Sequence, residues 1–149
     1  MTNTMRVLVI EDGDEYLELL ERFVGDYTYE QAHSGPEAVA RLGAGGIALI
    51  YLDMCFDRTP RGALWGDVSA IAKRHGGDQE RAWRFIERNQ GLFILDRLKQ
   101  DGFGHIPILI SHDFSAQPAR WTHLKARHPN LDWVPDEITP QEISNRISN

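Results

Sequence analysis

Carboxylates stand at the ends of two apolar runs in this chain. "MRVLVI" (Met5–Ile10) breaks into Glu11, Asp12 and, two positions on, Asp14; "ALIYL" (Ala48–Leu52) breaks into Asp53. A third run, "HIPILIS" (His105–Ser111), ends on Ser111, with His112 and Asp113 behind it. A carboxylate at the edge of a core costs free energy unless something pairs with it. Three brought close together do not all stay ionised without a cation. A hard divalent ion resolves this, and Mg²⁺ prefers a few carboxylates completed by water and phosphate oxygens. Glu11, Asp12 and Asp53 are then the candidate metal ligands. Asp53 is also a candidate nucleophile that forms an acyl phosphate, and the Ser111 hydroxyl can hydrogen-bond a phosphoryl oxygen. The competing reading is local, since strand-end acids also serve as helix N-caps, and Asp12 or Asp14 can cap a following helix.

These residues converge only if the runs lie side by side, and the pattern between them says that they do. Met5–Ile10 reads as a strand buried on both faces. Tyr16, Leu19, Leu20 and Phe23 follow at helical spacing, with Glu15, Glu18 and Glu21 elsewhere. "YTYEQA" (Tyr27–Ala32) is a second short strand. A helix then opens on the capping box of Ser34 and Glu37, with Pro36 in its first turn, and ends at "GAGG". "IALIYLD" (Ile47–Asp53) is strand three and His105–Ser111 strand four. The pattern continues with a helix capped by Ser115 and a last strand "LDWV" (Leu131–Val134). A second capping box, Thr139 with Glu142, opens a final helix. Five alternations of strand and helix predict an α/β fold, a doubly wound five-stranded parallel sheet with helices on both faces. Ligands of such sheets bind outside the carboxyl ends of the strands, where Glu11, Asp12, Asp53 and Ser111 fall.

The 149 residues are one domain's worth of chain, and a net charge of −6 argues against nucleic acid as the main partner. No window approaches a membrane span, and the N-terminal stretch lacks the features of a signal peptide. A single cysteine, Cys55, excludes an internal disulfide and fits a reducing cytoplasm.

The motifs, in this order, resemble the receiver domain of bacterial two-component response regulators. "VLVIEDGDEYLELL" resembles the first strand with its acidic pair, "LIYLD" the phosphoacceptor strand, "IPILIS" the fourth strand and "GLFILDRLK" (Gly91–Lys99) the third helix. The resemblance implies a flavodoxin-like receiver fold over residues 1–149. It implies Glu11 and Asp12 as metal-binding acids, Asp53 as the phosphorylated residue, Ser111 as the hydroxyl that responds to it, and Mg²⁺ as cofactor. It also implies a cytoplasmic, non-enzymatic phosphorelay protein. Its partners would be a sensor histidine kinase or phosphotransfer protein and a protein target.

The chain departs from that pattern in four places. Val134 stands where the family has a lysine that pairs with the phosphoryl group. A valine supplies no charge there. Leu131 takes the aromatic switch position, with Trp133 nearby, and His112 follows Ser111 where a small residue is usual. Finally, Asp53 and Ser111 are 58 positions apart, about 30 more than a loop, one helix and a strand require. The excess, about 54–89, carries Leu64, Trp65, Val68, Ile71, Trp83, Phe85 and Ile86, too apolar for a solvated linker. It reads as two short helices, "GDVSAIAKRH" and "DQERAWRFIERN", the second running on into the Gly91–Lys99 helix. Residues 54–90 hold seven basic and five acidic side chains, so this segment is positive while the rest is acidic. Arg58 and Arg61, nearest in sequence to Asp53, are the candidate substitute cations; ordinary surface ion pairs are the plainer role for such arginines. The segment is also a candidate partner surface, Trp and Arg being common interface anchors.

Four functions compete. A receiver phosphorylated on Asp53 would signal by protein contact. A pseudo-receiver would share the fold, never be phosphorylated and act as a constitutive interaction module. A Mg²⁺-dependent phosphatase of the haloacid dehalogenase type is suggested only by the D-x-D of "DGDEY", without the late lysine and acid pair such chemistry wants. Nucleic-acid binding through the arginines lacks a recognition helix or aromatic platform. The missing lysine favours the pseudo-receiver; the acids and the serine favour the phosphorylated receiver.

Overall fold

A computed structural model describes residues 5–135 and 145–146. Five strands form one parallel sheet: β1 (Arg6–Ile10), β2 (Thr28–Ala32), β3 (Leu49–Asp53), β4 (Ile108–Ser111) and β5 (Leu131–Val134), in the order β2-β1-β3-β4-β5. The chain winds outward from β1 to β2, then crosses back to β3, so the topological switch lies between β1 and β3. This is the fold expected from the alternation of elements. Each strand except β5 is shorter at its start than its apolar run. At β4 the reason is Pro107, which has no N–H to give to a sheet ladder.

Strand side chains alternate between two cores, as the period of two requires. Val7, Val9, Leu49, Tyr51, Leu109 and Val134 face one side with Leu20 of α1 (Glu15–Phe23). Leu8, Ile10, Ile50, Leu52, Ile108 and Ile110 face the other side, which α2 (Gly35–Gly43) and the later helices cover. Ser34 caps α2, its Oγ accepting the Glu37 amide at 3.3 Å.

After β3 the chain makes a 3₁₀ turn (Arg61–Ala63), then α3 (Val68–Arg74), α4 (Gln79–Arg88) and α5 (Gln90–Gln100). Asp67 and Asp78 cap α3 and α4 by accepting the amides of Ala70 and Arg81. Phe56, Ile71, Ala82 and Ile86 are buried in the main core, so the segment is part of the domain's packing. The expected run-on of α4 into α5 is interrupted at Asn89, whose side-chain amide donates to the Phe85 carbonyl.

One helix start differs from expectation. α6 (Pro118–Arg127) begins after Gln117, and Ser115 does not cap it. The Ser115 amide instead donates to Asp113 Oδ1 at 2.8 Å, a local turn, and Pro118 supplies the preorganised first helical residue. The capping box at Thr139 and Glu142 lies outside the described residues. Among the described residues no helix is long and apolar enough to cross a membrane.

Candidate functional site

The carboxyl ends of the central strands bring the sequence-derived candidates to one edge of the sheet. Asp53 pairs in register with Ser111, and Ser111 with Val134. Glu11 and Asp12 leave β1 beside them.

Glu11 is 1% exposed. Its two oxygens accept the amides of Tyr16 (3.0 Å) and Leu17 (2.8 Å), the unpaired donors of the first turn of α1. Asp14, at the N-cap position, makes no side-chain cap bond, so Glu11 caps α1 from upstream. Burial raises its pKa above the ordinary 4.5 although the two amides pull the other way; the charges of Glu15 and Asp14 add to the rise.

Asp12 is engaged by Arg58. Its Oδ2 accepts the Arg58 backbone amide at 2.8 Å and its Oδ1 a guanidinium nitrogen at 3.3 Å. The same guanidinium reaches both oxygens of Glu15 at 2.8 and 3.0 Å, and this contact pulls Glu15 down to about 2. Glu15 holds the Arg58 cation above its ordinary pKa in return. The segment carrying Arg58 is tied to the core. Phe56 is fully buried and its amide donates to the Glu87 carbonyl at 2.8 Å. Further on, buried Gln90 exchanges two 2.9 Å hydrogen bonds with the backbone of Trp65.

Asp53 Oδ1 accepts the amide of Met54 at 2.8 Å. Gly91 lets α5 approach here: its amide donates to the Met54 carbonyl, and a Cβ on it would sit 2.5 Å from the Asp53 carbonyl oxygen. Ser111 is buried and its hydroxyl donates to the Tyr16 hydroxyl at 2.8 Å, with the Tyr16 ring 5.1 Å from that of Tyr51. Val134 is fully buried beside Val7, Val9 and Tyr51, so its own side chain offers methyl groups and no charge. His112 rests edge-on against Phe114 at 4.6 Å. Trp133 joins Phe114 and Trp121 in an aromatic cluster, and Leu131 is buried.

Arg61 points elsewhere, forming a two-bond fork with Glu80 (3.0 and 2.9 Å), an ion pair with Glu87 and a cation–π contact with Trp83. Sequence reasoning missed Glu15 and Tyr16. Both were assigned to the faces of an amphipathic helix, and only the fold shows that the first turn of α1 abuts the ends of β1 and β4.

The acids do not assemble as a cation site. Glu11 spends both oxygens on the start of α1 and Asp12 spends both on Arg58. Among the described residues no group of three His, Cys, Asp or Glu side chains could hold one metal ion. As arranged, the side chains do not fit the Mg²⁺ that the resemblance implies.

No family model matches the chain, and no curated protein matches it. Among solved structures it is similar to the receiver domain of the Francisella response regulator 1452 (14% identity, 97% of this chain and 94% of that one, TM-score 0.63). It is also similar to the Vibrio cholerae chemotaxis protein CheY4 (15%, 98% of each chain, 0.64). A third is the receiver domain of NtrX from Brucella abortus (14%, 95% and 94%, 0.61). The chain therefore has the flavodoxin-like fold of response-regulator receiver domains.

Proposed function

We propose that this chain is a signalling module of the receiver fold that works by protein contact, with its acidic pocket closed by Arg58, and without phosphorylation of Asp53. The observation that carries this reading is the bridge from Arg58 to Asp12 and Glu15. A guanidinium already offsets the carboxylates that would otherwise draw in a dication, and its charge repels one. Val134 supports the same reading, because its side chain brings no charge that could pair with a phosphoryl group. Glu11 supports it too, since recruiting its carboxylate would expose two helix-start amides.

The register of Asp53 with Ser111 favours a second reading, that of a phosphorylated receiver served by a histidine kinase or phosphotransfer protein. There an Asp53 carboxylate oxygen would attack phosphorus as the donor phosphohistidine's P–N bond breaks and its electron pair leaves with the imidazole nitrogen; with acetyl phosphate the bond broken is P–O and acetate leaves. Intact mass after incubation with acetyl phosphate and Mg²⁺ separates the two readings. The proposal expects no phosphoryl gain in a folded sample. A gain in the wild type that Asp53→Asn abolishes would establish the second reading.

A further inference from the structure

The α3–α4 hairpin carries an open hollow of about 330 Å³ lined by His75, Arg81, Arg84, Phe85, Arg88 and Asn89. Its volume is within the range of small-ligand sites, roughly 300–1,000 Å³. The three arginines lie at i, i+3 and i+7 of α4, on one face of the helix. Among the described residues none of them forms a salt bridge, whereas Arg58, Arg61, Arg97 and Arg127 all do. The nearby acids are shared with other partners: Glu80, four residues before Arg84 and within reach of its charge, is held by the Arg61 fork, Glu87 also faces Arg61, and Asp78 accepts the Arg81 backbone amide. Like charges three and four residues apart oppose helix formation, and an anion in the hollow would relieve that repulsion. This concentration of guanidinium groups outside any salt bridge stands out in a chain whose net charge is −6.

The hollow also offers an aromatic face. Phe85 is 40% exposed, and its ring lies 6.4 Å from those of His75 and Phe93. Guanidinium forks match phosphate oxygens, and an exposed ring stacks on a planar base. A second hollow of about 460 Å³ shares Phe85 and Asn89 and is lined further by Arg74, Arg120 and the Asp96–Arg127 ion pair.

We infer that the α3–α4 hollow binds a small phosphate-bearing ligand with a planar aromatic group, of the nucleotide class, its phosphates on Arg81, Arg84 and Arg88 and its ring on Phe85. The site is independent of the pocket around Asp12 and of the phosphorylation state of Asp53.

The test is calorimetric titration of the full chain, without added metal, using ATP, inorganic triphosphate and a poly-glutamate peptide as probes. ATP should bind saturably, about tenfold or more tighter than triphosphate, and weaken as salt rises. Phe85→Ala should remove the preference for ATP while leaving triphosphate binding unchanged. Arg84→Gln and Arg88→Gln should each weaken both phosphate probes about tenfold. Far-UV circular dichroism and the thermal midpoint of each variant, Phe85→Ala included, should show a folded chain at the titration temperature, which separates lost binding from lost folding. Absence of saturable ATP binding would overturn the inference. So would ATP binding indifferent to Arg84 and Arg88, or a poly-glutamate affinity equal to that for ATP and indifferent to Phe85. That last result would assign the face to an acidic protein partner.

Discussion

Arg58 holds both oxygens of Asp12, 46 positions away in sequence, through its backbone amide at 2.8 Å and its guanidinium at 3.3 Å. The backbone contact matters most for the geometry, because it fixes where the loop after β3 passes over the end of β1 whichever way the side chain swings. Buried Phe56, two residues earlier, anchors that loop from below.

The Arg58–Glu15 contact sets a pH dependence. Glu15 ionises at about 2 in the folded chain against an ordinary 4.5. A carboxyl with a depressed folded pKa contributes stability above its unfolded value, and the contribution is lost as pH falls through the folded one. The clamp should therefore be intact above pH 4.5 and open as pH falls toward 2. Side-chain NMR titration should place Glu15 well below the ordinary value in the wild type and return it close to that value in Arg58→Ala. Both groups are exposed, so added salt should shrink the difference.

Gly91→Ala should destabilise the fold by about 1–3 kcal/mol. Its Cβ would meet the Asp53 carbonyl oxygen at 2.5 Å and Met54 Cα at 2.9 Å, both of them backbone atoms that cannot swing aside. Urea denaturation should show a lower midpoint with an unchanged slope.

Val134→Lys should not create a working phosphoryl site. Val134 is fully buried among Val7, Val9 and Tyr51, so an ammonium there would have to be desolvated or forced outward. A loss of about 2–4 kcal/mol is expected by thermal or urea denaturation, with no gain of mass from acetyl phosphate.

Much of the fold was legible because buried parallel strands read as unbroken apolar runs, as at β1 and β4, and because Ser34 with Glu37 marks the start of α2. The segment after Asp53 was recognisably structured, since Ile71 and Ile86 had to be buried somewhere. What could not be read was direction. Glu11 stands at the end of β1 in either account, but whether its carboxylate faces the pocket or the first turn of α1 depends on how the helix enters. Arg58 was a candidate by nearness to Asp53, yet its actual partners, Asp12 and Glu15, come from β1 and α1. Arg61, three residues on, was equally near and turned to Glu80. At Ser115 the capping residue type was right for a helix start, but Asp113 took its amide first and Pro118 set the boundary.

The most direct measurement is a Mg²⁺ titration of the ¹⁵N-labelled wild type, following the amides of Asp12, Gly13 and Asp53, beside Arg58→Ala. With Arg58 in the acidic pocket, these amides should show no saturable shift through millimolar Mg²⁺, and removing the guanidinium should tighten binding about tenfold or more. A saturable shift of the three amides in the wild type, at the affinity found for Arg58→Ala, would contradict the account.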